Sequence, residues 1–383
     1  MAVTWNKEAF YQKASKGSFA ARAARADVYV NNCEIFRAGG YETESGKEVF
    51  LDPSAMLEGT VVYDSPVSLA ETAPVAEPTV TGVANMGSLE MGRELQLKGF
   101  NPVILNLADA YVACGFYYKG SNAQEESLCR QSTLSQSLFQ YYTKENAEMS
   151  GVPFREKRYP MNIRFGAIYS PHVTVFRKGP REGFALMEEP YETAIISCAA
   201  LDFNEKHGKN PEYRSADGGF TFEGKAIMLS KIRTIFSAAL AGGHDAVVLG
   251  AWGCGAFRLR PDLVAGLFRD VLFEPAFKDR FRTVVFAILE NDGPGSGARG
   301  KFASFYRIFG RYGSSKPTMK APEPKAAPVD MSKYEVGSVV EHDKFGKGTI
   351  TEIQPDKGRV VVNFIVNGPK TLAIEKARLT VVG

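Results

Sequence analysis

The sequence contains little cysteine, histidine or tryptophan. Its 383 residues include only five cysteines, four histidines and two tryptophans. The cysteines are odd in number, form no C-x-x-C pair and lie far apart, at Cys33, Cys114, Cys129, Cys198 and Cys254. This pattern argues against a disulfide framework and against a structural zinc site. A reducing compartment fits best, and we expect a cytoplasmic location.

The chain also lacks long apolar runs and a large excess of either charge. No stretch of about 18 apolar residues is present, and the opening MAVTWNKEAF has no apolar signal-peptide core. We therefore expect neither a membrane span nor secretion. With 46 basic and 43 acidic residues, the net charge of +3 does not by itself predict a nucleic-acid binder. The composition, 44% hydrophobic and 23% charged, is typical of globular proteins.

A change of composition marks one domain boundary. Residues 311–333 read RYGSSKPTMKAPEPKAAPVDMSK and are rich in Pro, Ala, Lys and Ser, which predicts a semi-extended linker. In 334–383, short alternating strands are separated by Gly, Asp, Asn and Pro turn residues. This pattern predicts a small, strongly bent β-barrel.

Strand and helix patterns alternate through the first 310 residues. Buried strands are predicted at Val103–Leu107, Thr193–Ala199, Ala246–Gly250 and Thr283–Leu289. Amphipathic helices are predicted at Gln124–Tyr142, Ala226–Ala241 and Pro261–Phe273. Such alternation indicates an α/β layer fold with a mostly parallel sheet. The first 60 residues are largely helical and polar, and we expect them to form an accessory layer.

The first candidate site is the segment 115–126, GFYYKGSNAQEE, which follows a predicted strand and opens a helix. A helix start offers unpaired N–H groups and a positive dipole end, both suited to a diphosphate. Adjacent Glu125 and Glu126 can act as an acid and a positioning group, because glycosidic cleavage needs a carboxylic acid to protonate the leaving oxygen. A structural interpretation is also open, because Asn122 followed by Glu125 resembles a capping box.

The second candidate site is the loop 250–257, GAWGCGAF, which also lies between a predicted strand and a helix. Its glycines let the backbone approach a ligand, and consecutive N–H groups can form an anion-binding nest. Phe257 can stack on a ribose or a base. A tight turn that buries Trp252 and Phe257 explains the same residues. Two such loops on one sheet favour a nucleotide-like diphosphate site.

Several segments together resemble the microbial-type poly(ADP-ribose) glycohydrolases. In chain order they are VILNLA at 103–108, AQEESLCR at 123–130, GAIYSP at 166–171, VFR at 175–177 and the loop 250–257. The resemblance implies a macrodomain-like three-layer α/β/α core at 61–310, with a helical N-terminal extension at 1–60. It also implies hydrolysis of the ribose–ribose bond of poly(ADP-ribose), with no metal or other cofactor.

The same resemblance implies roles for individual residues. Glu126 corresponds to the catalytic acid and Glu125 to its ribose-orienting partner. The substrate-binding residues are then Asn106, Cys114, Gly115, Phe116, Gln124, Gly253, Cys254, Gly255, Ala256 and Phe257.

One stretch departs from the family's pattern. The family's Asn-Pro-Gly-Gly-Gly run is replaced here by Val112-Ala113-Cys114-Gly115-Phe116, in which only Gly115 is retained. Side chains at the flanking positions cannot freely copy a three-glycine backbone. The alternatives are therefore a non-catalytic ADP-ribose reader, or a hydrolase that releases single ADP-ribose units from protein or nucleic acid.

A second resemblance concerns 334–383. The segments 337–342, GSVVEH, and 345–350, FGKGTI, are similar to the Tudor/SH3-like barrel that ends some bacterial DNA helicases. This resemblance implies docking on a protein or nucleic acid and no catalysis. The expected partners of the whole chain are thus ADP-ribose or poly(ADP-ribose), a protein or nucleic acid held by the barrel, and no membrane.

Overall fold

The computed structural model describes residues 3–69, 75, 77–289, 300–313, 331–355, 358–374, 377 and 379–382. The chain divides into two compact units, Met1–Ala321 and Pro322–Gly383. Most of the predicted linker, 314–330, lies outside the described residues. In the described residues the helices are α1 Lys7–Ala14, α2 Ser18–Ala38, α3 Ser54–Gly59, α4 Ser88–Leu97, α5 Gln124–Gln131, α6 Leu134–Phe139, α7 Lys144–Met149, α8 Phe222–Ala241, α9 Pro261–Leu272 and α10 Lys301–Phe309. The strands of the first unit are β1 Gly40–Glu42, β2 Glu48–Phe50, β3 Val61–Tyr63, β4 Val80–Ala84, β5 Pro102–Leu107, β6 Ala167–Arg177, β7 Leu186–Cys198, β8 Ala246–Leu249 and β9 Thr283–Ala287.

The first unit is built on a mixed sheet with the strand order β3-β6-β7-β5-β8-β9-β4. Strands β7, β5, β8, β9 and β4 run parallel to one another. Strand β6 pairs antiparallel with β7 on one side and with β3 on the other. The parallel strands are buried on both faces, which explains their nearly continuous apolar sequences. Their carboxyl ends meet at one edge of the sheet, where open α/β sheets bind ligands.

Helices cover both faces of this sheet. On one face, Leu105 and Val247 pack with α8, α9 and α10 in one apolar cluster. On the other face, Ile104 and Val248 pack with residues of α2 to α6. Alternation along each strand sends successive side chains to opposite faces, so each strand contributes to both clusters. The predicted three-layer α/β/α core is confirmed.

The predicted helix Gln124–Tyr142 is wrong in its extent. Helix α5 ends at Gln131, Ser132 is extended, and α6 begins at Leu134. The break occurs because the chain here joins strand β6: Ser132 bridges Val175, and the Thr133 N–H donates to the Thr174 carbonyl at 3.0 Å. The apolar face predicted for one helix is thus divided between two.

A buried arginine attaches the N-terminal helices to the sheet. Arg177, at the end of β6, is 1% exposed. Its guanidinium donates to the side-chain oxygens of Asn31 and Asn32 in α2 and to the carbonyl of Phe184. Because all three acceptors are buried with the charge, the contact fixes α2 against the β6–β7 hairpin.

The second unit contains an antiparallel sheet with the order β13-β12-β11-β10-β14. Its strands are β10 Val339–His342, β11 Gly346–Gln354, β12 Arg359–Phe364, β13 Gly368–Ala373 and β14 Leu379–Val381. Alternate residues such as Val340, Ile350 and Val362 form its apolar core. The predicted all-β character is confirmed, and the Tudor-like assignment remains a prediction.

None of the helices in the described part of the chain combines the length and apolar composition needed to cross a membrane.

Candidate active site

The sheet brings the two candidate loops together. Strands β5 and β8 are hydrogen-bonded neighbours that run parallel, so the chain leaves both at the same edge. The loops after them, 108–123 and 250–260, line one cleft of about 2030 Å³. The cleft also receives Glu125 and Glu126, at the start of α5.

Glu125 is held in a buried polar pocket behind this cleft and is only 3% exposed. Its Oε1 accepts from Asn106 Nδ2 at 3.2 Å, and its Oε2 accepts from the Asp109 backbone N–H at 2.8 Å. The same Asn106 amide donates to Ser197 Oγ at 2.9 Å. Burial raises the pKa of Glu125 well above its ordinary value, and the nearby Glu126 carboxylate raises it further.

Glu126 is 6% exposed and is fixed by two backbone donors. Its Oε1 accepts from the Phe116 N–H at 3.1 Å, and its Oε2 accepts from the Ala123 N–H at 3.0 Å. The second bond caps α5, so the capping pair is Ala123 with Glu126, and the predicted pairing of Asn122 with Glu125 is wrong. Because Glu125 instead faces Asn106 on β5, the two carboxylates occupy different environments.

Gln124 ties the start of α5 to the end of β5. Its Oε1 accepts from the Leu107 N–H at 2.9 Å, and its Nε2 donates to the Leu105 carbonyl at 2.9 Å and to Ser88 Oγ at 3.1 Å. The Gln124 side chain thus pairs with backbone groups of β5 as a neighbouring strand would. These bonds position the two glutamates that follow at the carboxyl edge of the sheet.

The loop 250–257 presents free donors to the cleft. The N–H groups of Trp252 and Cys254 bond to carbonyls within the loop. The N–H groups of four further loop residues have no acceptor among the residues that the structure describes. These residues, which all line the cleft, are Gly253, Gly255, Ala256 and Phe257. Unpaired N–H groups in a loop that lines a cleft are suited to an anion.

Three of the predicted contact residues keep their side chains out of the cleft. Cys114 is 1% exposed, and burial together with the adjacent Cys129 thiol raises the pKa of its own thiol well above the ordinary value. Burial likewise raises the pKa of Cys254 to about 12. Neither thiol is therefore prepared to act as a nucleophile. Asn106 is also fully buried and reaches the cleft only through Glu125.

Trp252 belongs to the core, as its structural interpretation predicts. It is 1% exposed, and its indole N–H donates to the Cys198 carbonyl at 2.8 Å. Phe257, in contrast, is partly buried and lines the cleft.

A third loop, 200–210, also lines the cleft, and no sequence motif pointed to it. It packs against the second candidate loop: the Phe203 N–H donates to the Phe257 carbonyl at 2.9 Å, and Asn204 Nδ2 donates to the Ala256 carbonyl at 2.8 Å. Its only sequence signal is its place directly after strand β7, which pairs with β5. Within the described residues, no group of three or more His, Cys, Asp or Glu side chains could hold a metal ion.

Residues 30–178 match the model of a family described as the catalytic domain of microbial-type PARG, or poly(ADP-ribose) glycohydrolase. The resemblance to the microbial-type PARG family is confirmed. The matched stretch includes both glutamates and the loop that precedes them.

Solved PARG structures extend this likeness. The chain is similar to the glycohydrolase of Thermomonospora curvata, with 27% identity over 74% of this chain and 99% of that one, and a TM-score of 0.59. The same enzyme bound to the inhibitor ADP-HPD gives 28% identity, the same coverage and a TM-score of 0.57. The enzyme of Deinococcus radiodurans in complex with ADP-ribose gives 26% identity over 66% of this chain and 95% of that one, with a TM-score of 0.50. No curated protein matches the sequence. The macrodomain-like fold is therefore confirmed for the first unit.

The structure explains why one glycine of the PARG loop is retained. Gly115 has a φ of +54°, and a Cβ atom there would lie 2.6 Å from Glu126 Oε1. Cys114 also adopts a left-handed φ, of 63°, but its side chain packs in the core. Phe116 has a negative φ of −95° and an exposed side chain in the cleft. Side chains are thus accommodated on either side of Gly115, whereas a side chain at Gly115 itself would meet the Glu126 carboxylate.

Proposed function

We propose that this chain is an ADP-ribose glycohydrolase that cleaves the O-glycosidic bond of poly(ADP-ribose), with Glu126 as the general acid. The proposal rests on one observation: Glu126 lines the same cleft as a loop with unpaired N–H groups. A carboxyl beside an anion-binding loop is the arrangement needed to cleave a glycosidic bond near a diphosphate. The family match and the PARG structures support the same activity.

In this mechanism the diphosphate of ADP-ribose accepts hydrogen bonds from the N–H groups of Gly253, Gly255 and Ala256. Phe257 packs on the distal ribose, and Glu125 orients that ribose by a hydrogen bond to a hydroxyl. Since Glu125 is fixed by Asn106 and by the Asp109 N–H, its position is defined before substrate binds.

Glu126 donates its proton to the departing glycosidic oxygen as positive charge develops on the ribose. A water beside the diphosphate attacks the anomeric carbon and gives its proton to the Glu126 carboxylate, which regenerates the acid. Between the two proton transfers, the Phe116 and Ala123 N–H groups donate to that carboxylate and hold it in place. No metal takes part in this proposal, since the carboxyl group supplies the acid.

Replacing Glu126 with Gln tests the assignment. The amide keeps the shape of the side chain but supplies no acidic proton, so release of ADP-ribose from poly(ADP-ribose) should fall by about 10²–10⁴-fold. Calorimetry should find ADP-ribose binding nearly unchanged, because the diphosphate loop is intact. Unchanged hydrolysis would contradict the proposal.

The altered first loop leaves a second candidate, a non-catalytic reader of ADP-ribose, which would hold the diphosphate at the loop 250–257 alone. The Gly115 N–H donates to the Val112 carbonyl and the Phe116 N–H to Glu126, so neither is free for a diphosphate. Tight ADP-ribose binding by the unmodified chain, with no product from either poly(ADP-ribose) or a singly modified protein, would favour the reader. Product from the singly modified protein alone would indicate a mono-ADP-ribosyl hydrolase.

We propose that the second unit docks on a protein or nucleic acid. An aromatic group supports this role: the rings of His342 and Phe345 stack with centroids 4.7 Å apart, and the Phe364 ring lies 5.4 Å from that of Phe345. Ile365 and Val366, which follow Phe364 in the chain, are exposed. Fluorescence anisotropy with duplex DNA, compared between the full chain and its Ile365→Asp variant, tests the nucleic-acid case. Equal binding by both would contradict a role for this surface.

A further inference from the structure

Phe116 is an exposed aromatic residue beside the candidate acid. Its side chain is 44% exposed and lines the cleft. The Lys119 ammonium lies 5.4 Å from the centroid of its ring and 5.2 Å from that of Tyr118. Both contacts are within the range of a favourable cation–π interaction, so an exposed aromatic surface and a positive charge lie side by side next to Glu126.

The backbone holds this ring in place. The Phe116 N–H donates to Glu126, and the Phe116 carbonyl accepts from the N–H groups of Lys119 at 3.0 Å and Ser121 at 3.2 Å. Because the peptide on both sides of Phe116 is hydrogen-bonded, the loop fixes the point from which its side chain leaves the backbone.

Phe116 is close to the place where the leaving oxygen must bind. Only 3.1 Å separates the Phe116 nitrogen from Glu126 Oε1. The leaving oxygen must come within hydrogen-bond distance of the same carboxyl to receive its proton. Atoms attached to that oxygen would therefore lie close to Phe116, whereas the proposed mechanism places the diphosphate of the released unit at the loop 250–257.

We infer that Phe116 and Lys119 form a binding subsite for the leaving unit, in which an adenine base stacks on the ring and a phosphate meets the ammonium. This inference rests on the proposed function. In poly(ADP-ribose), the leaving hydroxyl belongs to a ribose that carries both an adenine and a diphosphate. An aromatic ring next to a lysine matches that pair of groups, since base–aromatic stacking and phosphate–ammonium contacts are the usual means of binding single nucleotides. The subsite would make the polymer a better substrate than ADP-ribose on an amino-acid side chain.

Binding in the Glu126→Gln background tests the subsite without turnover. Calorimetry would compare ADP-ribose with an ADP-ribose dimer. We expect the dimer to bind about tenfold more tightly than ADP-ribose, and the advantage to disappear when Phe116→Ala is added. Phe116→Tyr should retain the advantage, because it keeps the stacking face, and Lys119→Met should lose part of it.

Phe19→Ala is the matched control, because Phe19 is 87% exposed on α2 and lies outside the residues that line the cleft. An equal dimer advantage with and without Phe116 would overturn the inference. So would a loss of affinity for ADP-ribose itself in Phe116→Ala, since the ring would then contact the unit being released. Failure of the unmodified chain to hydrolyse the polymer would count against the proposed function alone, and the dimer advantage would still report on the subsite.

Discussion

Replacing Gly115 with Ala should displace the Glu126 carboxylate, and so lower kcat, with only a small loss in the free energy of unfolding. The new Cβ would lie 2.6 Å from Glu126 Oε1, 3.1 Å from Glu126 Cδ and 3.3 Å from Glu125 Oε2. Carbon and oxygen atoms in ordinary contact are about 3.5 Å apart, so the Glu126 carboxylate must move by roughly 1 Å. The left-handed φ of +54° adds about 1–2 kcal/mol of backbone strain for alanine.

A displacement of about 1 Å at a reacting group can cost about 100-fold in rate. We therefore expect Gly115→Ala to lower kcat on poly(ADP-ribose) by about two orders of magnitude, while the free energy of unfolding falls by only about 1–2 kcal/mol. Steady-state release of ADP-ribose and urea denaturation measure the two quantities. Affinity for ADP-ribose should change much less than kcat, because the loop 250–257 is untouched.

Gly266→Ala provides the control for adding one methyl group. Gly266 lies within α9, and a Cβ there meets nothing within 4 Å. This variant should be more stable by up to about 1 kcal/mol, with unchanged activity. Wild-type kcat in Gly115→Ala would refute the argument that this glycine is retained to leave room for Glu126.

Three further variants test other parts of the account. Cys114→Gly should be about as stable as Cys114→Ala in urea denaturation, because relief of the left-handed φ offsets the buried methyl group that glycine lacks. A glycine variant less stable than the alanine variant by more than about 1 kcal/mol would contradict the strain. Glu125→Gln should gain stability relative to the unmodified chain as the pH rises above the ordinary glutamate pKa of 4.5. Burial raises the pKa of Glu125, so above that pH the folded state binds more protons than the unfolded state. A pH-independent difference in stability between the two proteins would argue against it. Arg177→Ala should lower the free energy of unfolding by at least about 3 kcal/mol, because Asn31, Asn32 and the Phe184 carbonyl lose a buried charged donor. Thermal melting measures this loss. A loss no larger than that caused by replacing an exposed arginine would contradict the proposed anchoring of α2 by Arg177.

The order of strands and helices in the core can be predicted from the sequence, whereas the break between α5 and α6 cannot. The apolar runs at 103–107 and 246–250 predict buried strands, and β5 and β8 lie within or across those ranges. The break after Gln131 could not be predicted, because it depends on pairing with Thr174 and Val175, over 40 residues later. Local helical periodicity carries no information about such a distant partner.

The candidate site was predictable in its residue types and less so in its contacts. The glycine pattern at 250–257 predicted an anion-binding loop, and the free N–H groups agree with it. Which glutamate caps α5 could not be read from spacing, since Asn106 on β5 draws Glu125 away from the helix end. The loop 200–210 carries no motif, and its place in the cleft follows only from the pairing of β7 with β5.

The central claim is that Glu126 stands at the bond to be broken while the loop 250–257 holds the diphosphate. A crystal structure of the chain with bound ADP-ribose measures this directly. We predict that a Glu126 carboxyl oxygen lies within about 3.2 Å of the anomeric hydroxyl, or is joined to it by one water. A diphosphate bound away from Gly253–Phe257, or a gap too wide for a single bridging water, would contradict the account.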